Sequence, residues 1–134
     1  MLFQTTTKIG IVAVALLGAS LAAAGDELDV KAKLQSTMQL YIEANAVEGV
    51  LRVFNPRTKA HEEVELLTAH PKIVSGKDIH VLCYDVVNVK SQRIDIDFYV
   101  RRAGESFSVE SVVVADHSVM SAALQSGIAP KTKP

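Results

Sequence analysis

The stretch CYDVVNVKSQRIDIDFYV, Cys83 to Val100, alternates in the way a β-hairpin does, yet it carries aspartates at 85, 95 and 97. Strand side chains alternate between faces, so the pairing register decides where those carboxylates point. The natural turn lies around Lys90-Ser91-Gln92. Placing it there sets Leu82, Tyr84 and Val86 opposite Val100, Phe98 and Ile96, which makes one continuous apolar face. A slip of one residue would set tyrosine and valine against aspartates. The next hairpin turns at Ala103-Gly104, with Arg102 and Glu105 flanking it as an expected ion pair. It sets Phe98 opposite Val109 and Val100 opposite Phe107, extending the same apolar face.

On the other face this register places Asp85 opposite Asp97, Asp97 opposite Glu110, and Asp95 beside Val87 and Val112, with Cys83 facing Tyr99. The result is a row of carboxylates across three strands. Directly opposed like charges are destabilising in a sheet, so the row needs water, basic side chains or a cation. Arg93 and Arg101 are the nearest basic residues in sequence. The candidate ligand or partner surface is therefore Asp85, Asp95, Asp97 and Glu110, with Arg93, Arg101 and Tyr99 around it. Its ligand is expected to be a divalent cation or a positively charged group. Calcium takes six to eight oxygens, and a flat row of carboxylates holds it weakly unless something closes over it. Val81, Val87, Val112 and Val114 read onto this face too. Cover from the last helix, or from a second subunit in a homodimer, is expected there.

Outward from the hairpin, Asp26 to Ala46 has helical spacing. Val30, Leu34, Met38, Tyr41 and Asn45 form a stripe widened by Leu28 and Ile42. Asp26, Glu27 and Asp29 sit in the first turn, where the helix dipole favours negative charge. After Ala46 the period drops to two. Val47 to Asn55 and Ala60 to Thr68 read as strands joined at Asn-Pro-Arg-Thr, with Pro56 at the second turn position. His70 to Lys77 reads as a loop. Three strands follow, Ile79 to Val89, Arg93 to Arg101 and Ser106 to Ala115. Short connections make the neighbours antiparallel. Asp116 or Ser118 caps a last helix containing Val119, Met120, Ala123 and Leu124, which Gly127 stops.

One long helix followed by an antiparallel meander of four to five strands is an α+β arrangement, with the helix packed on a curved sheet. In this order of elements the chain resembles the cystatin-like and NTF2-like architectures. The C-Y-D and D-I-D-F-Y-V runs also resemble those of small exported bacterial proteins. Cystatins carry Q-x-V-x-G in their first hairpin, which is absent here, so protease inhibition is not implied. The NTF2-like resemblance implies an alternative site, a small-ligand or acid-base pocket between helix and sheet. Tyr41 and Tyr84 point there, but in this register no sheet aspartate does.

The N-terminus reads as an export signal. Lys8 precedes the uncharged apolar run Ile9 to Leu21, and Ala22-Ala23-Ala24 supplies the small residues for cleavage near Ala24 or Gly25. The run falls short of the roughly 20 residues that span a bilayer, and no cysteine follows for lipid attachment. The expected organisation is a leader over 1–24, one domain over 25–129 and a flexible tail over 130–134, exported to the periplasm or beyond without a membrane anchor. Without Lys8 the 14 basic residues become 13, against 15 acidic ones, a net charge of −2. There is no tryptophan and no basic stripe, so a nucleic-acid surface is not expected.

Cys83 is the only cysteine. It has no intramolecular disulfide partner, and we expect it to be buried and inert. His61 begins HEEVE, but a zincin motif needs histidine where Glu65 stands. No two of His61, His70, His80 and His117 are spaced by two or four, so zinc is not expected. The sequence contains no phosphate-binding glycine loop and no nucleophile elbow. It implies no cofactor. The expectation is an exported binding domain for an unknown protein or small ligand, and not an enzyme.

Overall fold

The computed structural model describes the backbone of residues 15–133 and the side chains of 25 and 27–133. The leader reading falls on residues 1–24, whose side chains, and whose backbone before Ala15, lie outside the described residues. The elements run α1 (Ala15–Asn45), β1 (Val50–Asn55), β2 (Ala60–Ser75), β3 (Ile79–Asn88), β4 (Arg93–Ala103), β5 (Ser106–Val114) and α2 (His117–Ser126). The chain divides into two compact units, one ending at Val30 and the other spanning Lys31–Pro134. The sheet and the candidate site belong to the second. Among the described residues no helix is long and apolar enough to cross a membrane.

The fold is α+β, a helix on an antiparallel sheet. Leu34 and Met38, one turn apart on α1, are buried, and Tyr41 stands edge-on to Phe98 at 6.0 Å. Leu28, expected on the same stripe, is exposed. After α1 the chain reverses at once. Val47 and Val50 exchange backbone hydrogen bonds of 2.9 and 3.0 Å, while Glu48 and Gly49 both adopt positive φ. Two central residues of positive φ match the right-handed twist of a tight hairpin. The strand expected from Val47 therefore begins at Val50.

The meander β1 to β5 is antiparallel throughout, and one parallel bridge between Phe54 and Val113 closes it on itself. Two features set its register. Between β3 and β4, the Asn88 side chain accepts hydrogen bonds from the backbone N–H of Lys90 (3.0 Å) and Gln92 (2.9 Å), and Ser91 takes positive φ. This tight turn pairs Leu82 with Phe98, Tyr84 with Ile96, Cys83 with Asp97 and Asp85 with Asp95. The pairing expected from sequence is thus off by two residues. A two-residue slip preserves sidedness, so the apolar face survives while Asp85 meets Asp95 and not Asp97.

Between β4 and β5 the register shifts within the ladder. Val100 pairs with Val109 but Tyr99 pairs with Ser111, leaving Glu110 as the extra residue of a bulge. A bulge sets two residues against one, so every β5 residue beyond it changes face. Val112 and Val114 therefore join the apolar face, opposite Phe98 and Ile96. Val113 takes the place opposite Asp97 that the sequence reading gave to Glu110. The hairpin tip is Gly104-Glu105, between paired Ala103 and Ser106. Arg102 lies over the Phe107 ring at 5.1 Å instead of pairing with Glu105.

The first face of the sheet carries Leu82, Val86, Ile96, Phe98, Val100 and Val112. The second face has its own core of Phe54, Ile79, Val81, Tyr99, Val113 and Ala123, with Met120 and Leu124 of α2 packed on it. The expected cover thus comes from α2. Asp116 caps α2 by accepting from the N–H of Ser118 (3.0 Å) and Val119 (3.2 Å), and Arg57 Nε reaches its other oxygen at 3.0 Å. At the far end Gly127 has φ 71°, and its N–H donates to Ala123 O at 2.8 Å. Lys77 N–H donates to Leu124 O at 2.9 Å, and a Cβ on Gly76 would stand 2.6 Å from that same oxygen. α2 is therefore pinned at both ends and in backbone contact with the sheet's rim.

Candidate functional site

The second face changes character along its length. Under α2 it is apolar, and toward the β3–β4 turn it is acidic. Asp85 and Asp95 are direct cross-strand partners near that turn. A third group, which the sequence reading placed in a loop, comes to lie beside them. β2 does not stop at Thr68. It runs on to Ser75 through irregularities between Leu66 and Thr68 and between Ala69 and Ile73. Pro71 sits in the second irregularity, where a missing N–H does not break the ladder.

His70 is carried into the sheet by this continuation. Its Nε2 lies 2.6 Å from Asp85 Oδ1 and 3.8 Å from Asp95 Oδ1. Together His70, Asp85 and Asp95 offer an imidazole nitrogen and two carboxylate oxygens, all within 4.8 Å of one another. Arg93 is the nearest guanidinium, 3.7 Å from Asp85 Oδ2 on a side chain 71% exposed.

The protonation preferences follow from this geometry. The hydrogen bond to Asp85 raises the His70 imidazole. The same bond, and then the neighbouring Asp95 carboxyl, lower Asp85. Asp95 goes the other way, raised by burial and by its hydrogen bond with Asp85. Two opposed aspartates cannot both ionise freely. They are served by a positive charge on His70, by a proton on Asp95, or by an added cation.

The third aspartate is in a different place. Asp97 is 0% exposed, opposite Cys83 on one side and Val113 on the other. Cys83 Sγ donates to its Oδ1 at 2.9 Å, while Oδ2 has no partner. Burial raises the Asp97 carboxyl. Burial, then the Asp97 hydrogen bond, push the Cys83 thiol up to about 12. A thiol held protonated at neutral pH is a poor nucleophile; Cys83 itself is half-buried, where the sequence reading expected it buried.

The remaining candidates disperse. Tyr99 is fully buried between Val81 and Ser111, with its hydroxyl unpartnered. Glu110, the bulged residue, accepts from Arg101 Nε at 2.6 Å, and Arg101 also holds the carbonyl of Gly127 beside α2. That pair ties down the C-terminal segment and stands apart from the acidic cluster. On the first face Tyr41 and Tyr84 both stand edge-on to Phe98, at 6.0 and 6.3 Å. Burial raises the Tyr41 hydroxyl.

The expected row is thus not continuous. It resolves into an open cluster of Asp85, Asp95 and His70, a buried Asp97 held by the half-buried Cys83, and a separate Arg101–Glu110 clamp. His70 is the member that sequence reasoning missed. The available signal was the β-branched pair Ile73-Val74 beyond Pro71, overridden by the turn-forming look of His-Pro-Lys.

Fold and site together define an α+β protein with an acidic patch on one sheet face. No family model matches this chain, and no curated protein or solved structure matches it either.

Proposed function

We propose that this chain is an exported, non-catalytic binding domain that takes a cationic ligand at the Asp85–Asp95 end of the second sheet face. The observation that carries the reading is the convergence of His70, Asp85 and Asp95 from three adjacent strands, with their ligand atoms within 4.8 Å. Facing carboxylates compensated by one imidazole and one exposed arginine still attract positive charge. Strand pairing holds Asp85 and Asp95 opposite each other without a ligand. Export rests on the Lys8, Ile9–Leu21 and Ala22-Ala23-Ala24 pattern. Kinship with cystatin-like or NTF2-like architecture is part of the proposal and rests on the helix-then-meander order.

The test is a series of thermal melts with calcium, zinc, spermidine or a lysine-rich peptide added, on the native chain and on an Asp85→Asn/Asp95→Asn double variant. A ligand that binds the folded state raises the melting temperature by mass action. The expected result is a rise with at least one cation that the double variant loses. No rise with any of the four sinks the reading.

A second reading is supported by Tyr41 and Tyr84 around Phe98. It is an interior small-ligand or acid-base pocket of NTF2-like type. None of Asp85, Asp95 and Asp97 stands on its side of the sheet, because the three share the opposite face. Binding of a neutral hydrophobic probe that Tyr84→Ala abolishes and Asp85→Asn spares would favour it.

A further inference from the structure

Resting on the reading of this patch as a cation site, we infer that its ligand is a divalent transition-metal ion. His70 Nε2, Asp85 Oδ1 and Asp95 Oδ1 hold it, and its other coordination positions stay open.

The donor set selects the class of ion. Calcium and magnesium are bound by oxygen ligands, and an imidazole adds nothing to such a site. Imidazole with carboxylates suits zinc and its first-row neighbours. An alkylammonium gains from the carboxylates but has no particular use for an imidazole beside them.

The distances point the same way. Ligand atoms about 2.1 Å from a metal stand about 3.4 Å apart in tetrahedral geometry and about 3.0 Å apart in octahedral geometry. Here the imidazole nitrogen is 2.6 Å from one carboxylate oxygen and 3.8 Å from the other. The required separations lie between these values for the two pairs made by His70, and the whole set lies within 4.8 Å, so small side-chain rotations are what metal binding asks for. Each ligand comes from a different strand, β2, β3 or β4; the ladder pairs Asp85 with Asp95, and His70 follows Ala69, the last β2 residue paired before the irregularity.

An independent observation lies deeper on the same face. Asp97 follows Asp95 by two residues, is 0% exposed, and leaves Oδ2 without a partner. Buried polar groups are nearly always satisfied, and an exception calls for an explanation such as an ion or water. A bound dication two residues away supplies positive charge to that carboxylate, which no basic side chain among the described residues does by direct contact. Three protein ligands with open positions make an exchangeable site and not a closed structural one.

The test is calorimetric titration of the EDTA-stripped and dialysed chain with zinc, manganese, calcium and spermidine, beside His70→Gln and Asp85→Asn/Asp95→Asn. Zinc is expected to bind one to one. His70→Gln should weaken it at least as much as the roughly 10–100-fold lost when a metal ligand's outer partner is removed. A melt in EDTA checks that His70→Gln remains folded. In the folded variant, cobalt in place of zinc should also lose its visible ligand-field band. Zinc that fails to bind, or binds equally well to His70→Gln, overturns the inference. If calcium or spermidine then binds and the double variant loses it, the cation-site reading stands and the metal alone is wrong. If none of the four binds, both fail.

Discussion

Phe98 and Tyr99 are sequence neighbours on β4, both fully buried, and they face opposite sides of the sheet. Around Phe98 the surroundings are hydrocarbon and aromatic rings, with Tyr41 and Tyr84 standing edge-on. Around Tyr99 the surroundings are mixed. Its hydroxyl, Asp97 Oδ2 and Ser111 Oγ are all buried without partners, and they are the buried orphans found among the described residues. The first face is built for stability. The second holds polar groups at a cost, since each unsatisfied buried group forfeits about 1–3 kcal/mol of hydration. A fold that concentrates such costs on one face, next to an open acidic cluster, has the pattern of a site.

The comparison breaks most visibly at Phe98. Phe98→Ala should cost about 3–5 kcal/mol, read from urea unfolding, because its cavity opens among buried apolar side chains such as Leu82, Ile96 and Val112. A loss near 1 kcal/mol would mean that the first face is loosely packed and the contrast is false.

Gly127→Ala tests the cover of the second face. It places a side chain at φ 71° and a Cβ 2.6 Å from Lys77 O. Backbone strain of this kind costs about 1–3 kcal/mol. The loss should come with raised hydrogen exchange in α2 and little change in α1. Equal exchange in both helices would show that α2 is not a separable cover.

Asp97→Asn should move stability the other way. Burial raises the Asp97 carboxyl, so the folded chain binds that proton more tightly than the unfolded chain does. The stability linked to this proton is full below the ordinary aspartate value and is lost as pH rises through the raised folded value. In EDTA at about pH 7 the asparagine variant should therefore be more stable, by about 1 kcal/mol or more. The advantage should shrink to nothing as pH falls below the unfolded aspartate value. A variant less stable at every pH would mean that Asp97 is ionised and well compensated.

The smallest effect is expected at the other end of the same line. Tyr99→Phe removes an unpartnered hydroxyl and should be neutral to stabilising by up to about 1 kcal/mol. Destabilisation would reveal a water bridging Tyr99 to Ser111 and would narrow the difference between the faces.

Much of this contrast was legible before any coordinates. The helix stripe at Leu34, Met38 and Tyr41, the five strands, and the Asp116 and Gly127 caps of α2 follow from local spacing and local chemistry. The placement of Asp85, Asp95 and Asp97 on one face survived a wrong register, because an error of two residues leaves sidedness intact. The bulge at Glu110 was not legible. It is a compromise between twist and packing that no local pattern announces, and it exchanged Val112 and Val114 for Val113 on the second face. His70 was missed because Pro71 argues for a loop, and only pairing with β3 holds β2 together past it.

The sequence by itself determined which residues are apolar, where the period changes from helix to strand, and that three aspartates share a face. Those facts depend on neighbours a few positions away. Tertiary structure alone decided that Asp95 meets solvent while Asp97, two residues on, is sealed beside Cys83, and that His70 joins Asp85. Sheet closure through Phe54 and Val113 and the docking of α2 set depth on that face. Depth depends on what covers a residue, and the cover comes from chain far away in sequence.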